Sequence, residues 1–362
     1  MRTVGIGVIG TGMISNQYLT NLTAFGGMDV RFLADLDQDR ARSQAEKFDV
    51  ANSGTPEQLL KRDDIEIVIN LTIPAVHAEV SRAIVNADKH VWSEKPLATS
   101  RDNARELLSD AESQGVRVGC APDTFLGRGV QRALRLISDG AIGEPVFANA
   151  AFMTPGPEVS HPNPEFLFAP GGGPLFDMGP YYLTALVQAL GPIASVNAAA
   201  STSKAQRTIQ VGPRAGTGFD VTTATHYSTQ MKFRDGAAGQ AVFSFDSALV
   251  RTGVIEITGT EGTLVFPDPN QFGGTVRLYR PGSFEPEEYT VESAGLTRGI
   301  GVAEMAEAIR EGRPHRASGE LARHVLDVML AIESSSFGQS PVPVSSSAVP
   351  APLLGRDWDP RR

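Results

Sequence analysis

Glu94-Lys95-Pro96-Leu97 follows directly on the apolar stretch Lys89-His90-Val91-Trp92-Ser93. A lysine fixed by a proline at the end of a buried strand pattern is placed for chemistry, because an ammonium near a reacting oxygen stabilises alkoxide character as a hydride leaves. The bland alternative is an exposed lysine paired with Glu94. Near the start of the chain, Gly10-Thr11-Gly12-Met13-Ile14-Ser15 follows another short apolar run. Gly10 permits a tight turn out of the strand, Gly12 lets the backbone approach a pyrophosphate, and small Ser15 stands where helix meets strand. Asp35 closes the next strand pattern roughly 20 residues on, where a carboxylate accepts hydrogen bonds from the adenosine ribose and repels a 2'-phosphate. Leu36 and Asp37 supply no arginine to offset that repulsion, so the expected cofactor is NAD rather than NADP.

These residues need a scaffold, and the first third of the chain supplies its pattern. Apolar runs at Val4 to Ile9, Val30 to Ala34, Ile65 to Leu71, Lys89 to Trp92 and Val116 to Cys120 alternate with helical patterns, the rhythm of a parallel sheet with crossover helices. The clearest helix starts at the N-cap Ser100, carries Ala104, Leu107, Leu108 and Ala111 on one face, and ends at Gly115. Beyond Cys120 a helix through Val130, Ala133, Leu134 and Ile137 ends at Gly140, and a strand from Val146 to Phe152 follows. Pro155 to Gly173 is a long Pro- and Gly-rich loop, more often functional than idle in a compact domain. From Ile193 to Arg280 the chain reads as successive strands, with a hairpin turn at Arg234-Asp235-Gly236. Two late helices carry Val302, Met305, Ala306, Ile309 and then Leu321, Val325, Val328, Ile332. Pro341 to Pro350 reads as an extended segment packed on the surface.

Composition narrows the class of partner. The 362 residues are 41% apolar and 20% charged, enough for two domains with separate cores. A net charge of -9 argues against nucleic acid or an anionic membrane, since phosphate polyanions require a basic face. A small molecule is the expected partner. One cysteine, Cys120, excludes an internal disulfide and suits a reducing compartment. No run approaches the roughly 18 apolar residues of a membrane span, and only Met1, Arg2 and Thr3 precede the first strand pattern. A cytoplasmic location is therefore expected. The six histidines, His77, His90, His161, His226, His315 and His324, show no paired ligand spacing, so no metal is expected. His77 is expected to pack near the cofactor cleft and His90 to be structural.

Together these residues resemble the Gfo/Idh/MocA oxidoreductase family over nearly the whole chain. The resemblance rests on Gly10 to Ser15, Thr72-Ile73-Pro74-Ala75-Val76-His77, Glu94-Lys95-Pro96, Gly171-Gly172-Gly173 with Asp177-Met178-Gly179, and Gly259-Thr260-Glu261-Gly262. It implies an α/β chain: an N-terminal Rossmann domain over 1–122, an α+β substrate-binding and oligomerisation domain with a large, mostly antiparallel sheet over 123–340, and a tail over 341–362. It also implies hydride transfer between nicotinamide and a sugar, cyclitol or related polyol, in a homodimer or homotetramer. Lys95 matches the family's catalytic lysine and Pro96 the proline that fixes it. Cofactor contacts are implied at Gly10, Gly12, Met13, Ile14, Asp35, Thr72, Pro74, His77, Glu94, Lys95 and Pro96.

The chain departs from the family where many members carry Asp-x-Gly-x-His-x-x-Asp. Here the residues are Asp177-Met178-Gly179-Pro180-Tyr181-Tyr182-Leu183-Thr184, with Tyr181 at the histidine position. A free tyrosine titrates near 10, about 3.5 units above histidine, so it needs a nearby cation to act as a base at neutral pH. Lys95 is the expected cation, sharing proton transfer with Tyr181, while Asp177 orients Lys95 or binds a substrate hydroxyl. His161, between Ser160 and Pro162, is a second candidate proton acceptor or substrate contact. Asp123 and Phe125, after the sixth strand, are candidates for a sugar hydroxyl and an apolar ring face. Arg298 is expected to form a salt bridge. Two other functions stay open: an NAD-retaining glycosidase working by transient oxidation and elimination, and a non-catalytic dinucleotide-binding regulator.

Overall fold

The computed structural model describes residues 3–338 and 340–361. The chain forms two compact units, and neither is a single contiguous segment. The first holds the chain up to Gly127, Ala294–Leu326 and the segment from Ala351; the second holds Arg128–Ser293 and Asp327–Pro350.

In the first unit strands and helices alternate: β1 (Val4–Ile9), α1 (Ser15–Leu22), β2 (Met28–Ala34), α2 (Gln38–Lys47), β3 (Ser53–Gly54), α3 (Pro56–Leu60), β4 (Ile67–Asn70), α4 (His77–Val85), β5 (His90–Ser93), α5 (Arg101–Gln114) and β6 (Val118–Cys120). The strands make one six-stranded sheet in the order β3-β2-β1-β4-β5-β6, parallel throughout. Every residue of β1 and β4 is buried. Strands covered by helices on both faces must be apolar on both, hence the continuous apolar runs. The chain leaves β1 toward β2 and β3 and returns on the other side to β4, so loops diverge at the carboxyl ends of β1 and β4 and open a crevice.

Local signals set the boundaries. The Ser100 hydroxyl accepts the Asn103 N–H at 3.2 Å, and Gly115 ends α5 at φ 67°. Short β3 and α3 have no counterpart in the sequence reading, although Thr55 and Gln58 form a capping box around Pro56 that starts α3.

The second unit runs through α6 (Arg128–Ser138), β7 (Pro145–Met153), α7 (Gly173–Leu190), β8 (Ile193–Ser201), β9 (Gln206–Thr208), β10 (Gly218–Asp220), β11 (His226–Phe233), β12 (Ala238–Ser244), β13 (Arg251–Gly259), β14 (Thr263–Val265), β15 (Gly274–Tyr279) and β16 (Glu287–Val291). Then α8 (Ile300–Arg310) belongs to the first unit, α9 (Gly319–Gly338) contributes residues to both, and β17 (Val342–Pro343) belongs to the second. The order β16-β15-β14-β13-β7-β12-β11-β8-β17 makes a nine-stranded sheet, antiparallel at every junction except β7 with β12. This is the large, mostly antiparallel sheet expected. α7 packs against β7, β11 and β12. The segment after α9 is not merely laid on the surface: Val342 and Pro343 pair with β8, and Val344, Ser346 and Ala348 are buried.

Candidate active site

The turn from β1 into α1 is shaped for close approach. Gly10 lies at φ 98°, and a Cβ there would stand 2.7 Å from the Leu71 carbonyl oxygen. Only glycine meets both demands. A Cβ on Gly12 would meet nothing within 4 Å, so that backbone is open on its outer side. Ser15, at the third position, is fully buried and donates its hydroxyl to the Gly12 carbonyl at 2.7 Å, closing the turn. Around this edge three large apolar side chains are exposed: Met13 (74%), Leu36 (91%) and Ile73 (65%). Apolar surface ringing a crevice is the usual lining of a site for a flat ring system. An open glycine backbone at a helix N-terminus, a carboxylate at the end of β2 and apolar surface for rings are the features NAD needs, so the residues fit it.

Asp35 is held more tightly than expected. Its Oδ2 accepts the Thr11 N–H at 2.7 Å and the Thr11 hydroxyl at 2.9 Å, and its Oδ1 accepts the Asp37 N–H at 3.0 Å. Arg40 adds two bonds, Nε to Oδ2 at 3.2 Å and Nη2 to Oδ1 at 2.6 Å. Burial pushes the Asp35 carboxyl up, but Arg40, the Thr11 and Asp37 amides and the Thr11 hydroxyl outweigh it and hold it down at about 2. The expectation that no arginine offsets Asp35 is corrected. Arg40 was missed because the first turn of α2, not the two residues after β2, brings it back.

The turn that carries Lys95 is braced on both sides, at the Lys95 amide and at the Pro96 carbonyl. On one side the Glu94 carboxylate accepts the Lys95 N–H at 3.0 Å and the Tyr18 hydroxyl at 2.8 Å, and Trp92 Nε1 donates to the Tyr18 oxygen at 3.2 Å. Burial, reinforced by the Glu94 and Asp123 charges, raises the Tyr18 phenol well above its ordinary value, so it stays a donor. On the other side His77 Nδ1 lies 2.7 Å from the Pro96 carbonyl oxygen and Nε2 lies 3.0 Å from that of Thr72. Asn70, at the end of β4, joins this network: its amide donates to the His77 carbonyl at 2.9 Å and its oxygen accepts the Thr72 hydroxyl at 2.6 Å. The Lys95–Pro96 peptide is cis. His77 itself is 1% exposed. Its expected role as a cofactor contact becomes that of a brace behind Thr72 and Pro96.

Asp123 and Phe125 are not placed as substrate contacts. Both are buried, at 0% and 2% exposure. Asp123 Oδ2 accepts the Gly299 and Gly301 N–H groups at 2.8 and 3.1 Å, at the start of α8. A carboxylate there satisfies the free amides and faces the positive end of the helix dipole. Burial pushes the Asp123 carboxyl above its ordinary range against the opposing pull of Arg298 and the two amides.

In the second unit, Asp177 and Tyr181 sit one turn apart on α7, the spacing that puts side chains on one face. Asp177 is half-buried and Tyr181 is 7% exposed. Tyr182 is fully buried, its hydroxyl accepts the Gly253 N–H at 2.6 Å, and its ring meets Phe152 and Phe243 edge-on. It is a packing residue. The loop before α7 is anchored by buried Arg207, which donates to Glu158, to the Asp246 carboxylate and, at 2.9 Å, to the Pro155 carbonyl. His161, half-buried in that loop, accepts the Asn163 N–H on Nδ1 at 3.1 Å and meets the Phe166 ring edge-on. That bond assigns the proton of the neutral ring to Nε2. Among the described residues no group of three or more His, Cys, Asp or Glu side chains is placed to hold a metal ion, and no helix is long and apolar enough to cross a membrane.

Residues 4–121 match the oxidoreductase family with an NAD-binding Rossmann fold, and residues 130–265 match the Gfo/Idh/MocA C-terminal domain. The chain belongs to the Gfo/Idh/MocA family. It is an oxidoreductase with an NAD-binding Rossmann domain. Among relatives in this family, trans-1,2-dihydrobenzene-1,2-diol dehydrogenase of Bos taurus is 26% identical over 313 residues, covering 84% of this chain and 87% of its own. Inositol 2-dehydrogenase 3 of Saccharopolyspora erythraea is 31% identical over 167 residues, 44% of this chain and 48% of its own. An NAD-binding oxidoreductase from Klebsiella pneumoniae superposes with a TM-score of 0.84 at 25% identity, over 95% of this chain and all of that one.

Proposed function

We propose that this Gfo/Idh/MocA member transfers a hydride between NAD and a secondary alcohol or ketone of a sugar, sugar derivative or cyclitol. The double brace on the Glu94-Lys95-Pro96 turn, at the Lys95 amide and the Pro96 carbonyl, is the observation that carries this reading: a surface lysine needs no such bracing. Relatives named for inositol and for a cyclic diol support a polyhydroxylated ring as substrate. The dinucleotide would lie over Gly10, Gly12, Met13 and Ile14, with its ribose toward Asp35 and further contacts from Thr72, Pro74 and the Glu94-Lys95-Pro96 turn. When bound, NAD supplies the acceptor or donor of the hydride.

The residues of the chain then handle the proton and the charge. Lys95 presents its ammonium to the substrate oxygen and stabilises the developing alkoxide. Tyr181 takes the hydroxyl proton as phenolate, a state that the same ammonium favours. Asp177, on the same face of α7, holds a substrate hydroxyl or Lys95. His161 is the weaker candidate for base, since a base must accept on Nε2 and the Asn163 bond leaves that nitrogen protonated; it suits a donor to a substrate hydroxyl.

The subunits would pair as a homodimer or homotetramer through the open face of the nine-stranded sheet. Small or uncharged Asn197, Ala199, Ser228, Gln230, Gln240 and Val242 line a groove of about 440 Å³ there. Light scattering tests this directly: a monomer would refute it. For the activity, a panel of polyols and aldoses is offered with NAD, following absorbance of the reduced cofactor. Turnover with cyclic polyols is expected. Aglycone release without net reduction would instead indicate the glycosidase, and NAD binding without any turnover the regulator.

A further inference from the structure

Asp35 has more donors than a ribose-binding carboxylate can spare. A carboxylate offers about four acceptor positions, and Thr11, Asp37 and Arg40 already direct five donors at it. A ribose diol would bring further hydroxyls to the same oxygens. The Thr11 and Asp37 amides are fixed by the backbone of the β1 turn and the β2 end, and Thr11 is 2% exposed. Arg40 differs, because its side chain is 50% exposed and arrives from the first turn of α2. It is the donor free to leave. A guanidinium displaced from Asp35 stays beside that carboxylate and beside Asp37, whose Oδ2 is 3.7 Å from Nη1. There it would face whatever a bound ribose carries at its 2' position. A planar guanidinium matches a phosphate through paired N–H bonds, which would offset the repulsion between Asp35 and that phosphate.

We propose that Arg40 sets the dinucleotide choice of this chain: it competes with the ribose of NAD for Asp35 and, once displaced, pairs with the 2'-phosphate of NADP, so that the chain binds both. The inference rests on the reading of Asp35 as the ribose acceptor. It differs from a plain ion pair in requiring that loss of Arg40 move the two affinities in opposite directions.

Calorimetric titration of the full chain with NAD and with NADP, without substrate, reads this directly. Arg40→Gln is expected to tighten NAD by about 3-fold and weaken NADP by about 10-fold or more, the scale of one lost charge-assisted pair. Arg40→Lys keeps the charge and is expected to retain most NADP binding, with affinity falling as salt rises. Asp35→Asn separates the two claims. If it weakens NAD while Arg40→Gln shifts both affinities alike or neither, the role of Arg40 is overturned and Asp35 stands. If Asp35→Asn leaves NAD binding unchanged, both readings fall. A wild-type chain that binds NAD but shows no heat with millimolar NADP overturns the proposal as well.

Discussion

His77 Nδ1 lies 2.7 Å from the carbonyl oxygen of Pro96, and the opposite ring nitrogen lies 3.0 Å from that of Thr72. Both partners are carbonyls, which only accept, so a neutral ring donates to one of them at a time. The ring ties the loop after β4 to the turn that holds Lys95. A displacement of about 1 Å at a reacting group costs on the order of 100-fold in rate.

His77→Gln can reach only one of the two carbonyls. It is expected to lower kcat by about 10- to 100-fold while the fold persists. Steady-state kinetics and far-UV circular dichroism of the variant check this. An unchanged kcat would contradict the positioning role of His77.

Asp123 gives a stability prediction. Asp123→Ala leaves the Gly299 and Gly301 amides without an acceptor and should cost about 1–3 kcal/mol for each buried group orphaned. Asp123→Asn keeps an acceptor oxygen and removes the charge that burial resists. Because burial raises the folded Asp123 carboxyl, the side chain helps the fold most in acid, and that help declines as pH rises above the ordinary carboxylate range. Urea unfolding at pH 5 and pH 8 should therefore favour Asp123→Asn increasingly at the higher pH. A constant difference would contradict it.

Asp35 behaves oppositely. Its folded carboxyl is held down at about 2, so its stabilisation is complete above the unfolded value of about 3.9 and is lost as pH falls toward 2. Arg40 is half-exposed, so its share of that stabilisation is discounted to on the order of 1 kcal/mol. Arg40→Gln should flatten the acid limb of the stability profile between pH 5 and pH 2.5. An unchanged slope would mean that the amides of Thr11 and Asp37 hold the carboxylate alone.

The parts legible in the sequence were those with local signatures. Buried parallel strands read as apolar runs, Ser100 and Gly115 marked the ends of α5, and Gly10 and Gly12 marked the turn from β1 into α1. The bracing of Lys95 was hidden because its members are far apart in the chain. Tyr18 meets Glu94 only once α1 packs beside β5, and Asn70, Thr72 and His77 look like ordinary polar residues until the β4 and β5 ends are adjacent. Asp123 misled for the same reason. A carboxylate at the end of a strand has the position of a ligand contact, and only the return of Ala294–Leu326 to the first unit turns it into the cap of α8.

The central claim is that Lys95 and Tyr181 share the proton and the charge of the reaction. The pH dependence of kcat/KM for alcohol oxidation, compared among wild type, Lys95→Ala and Tyr181→Phe, tests it most directly. Each substitution is expected to lower kcat/KM by at least about 100-fold, and Tyr181→Phe to abolish the acid limb of the profile. Nearly full turnover across pH in Tyr181→Phe, with activity lost in Lys95→Ala, would contradict the shared role.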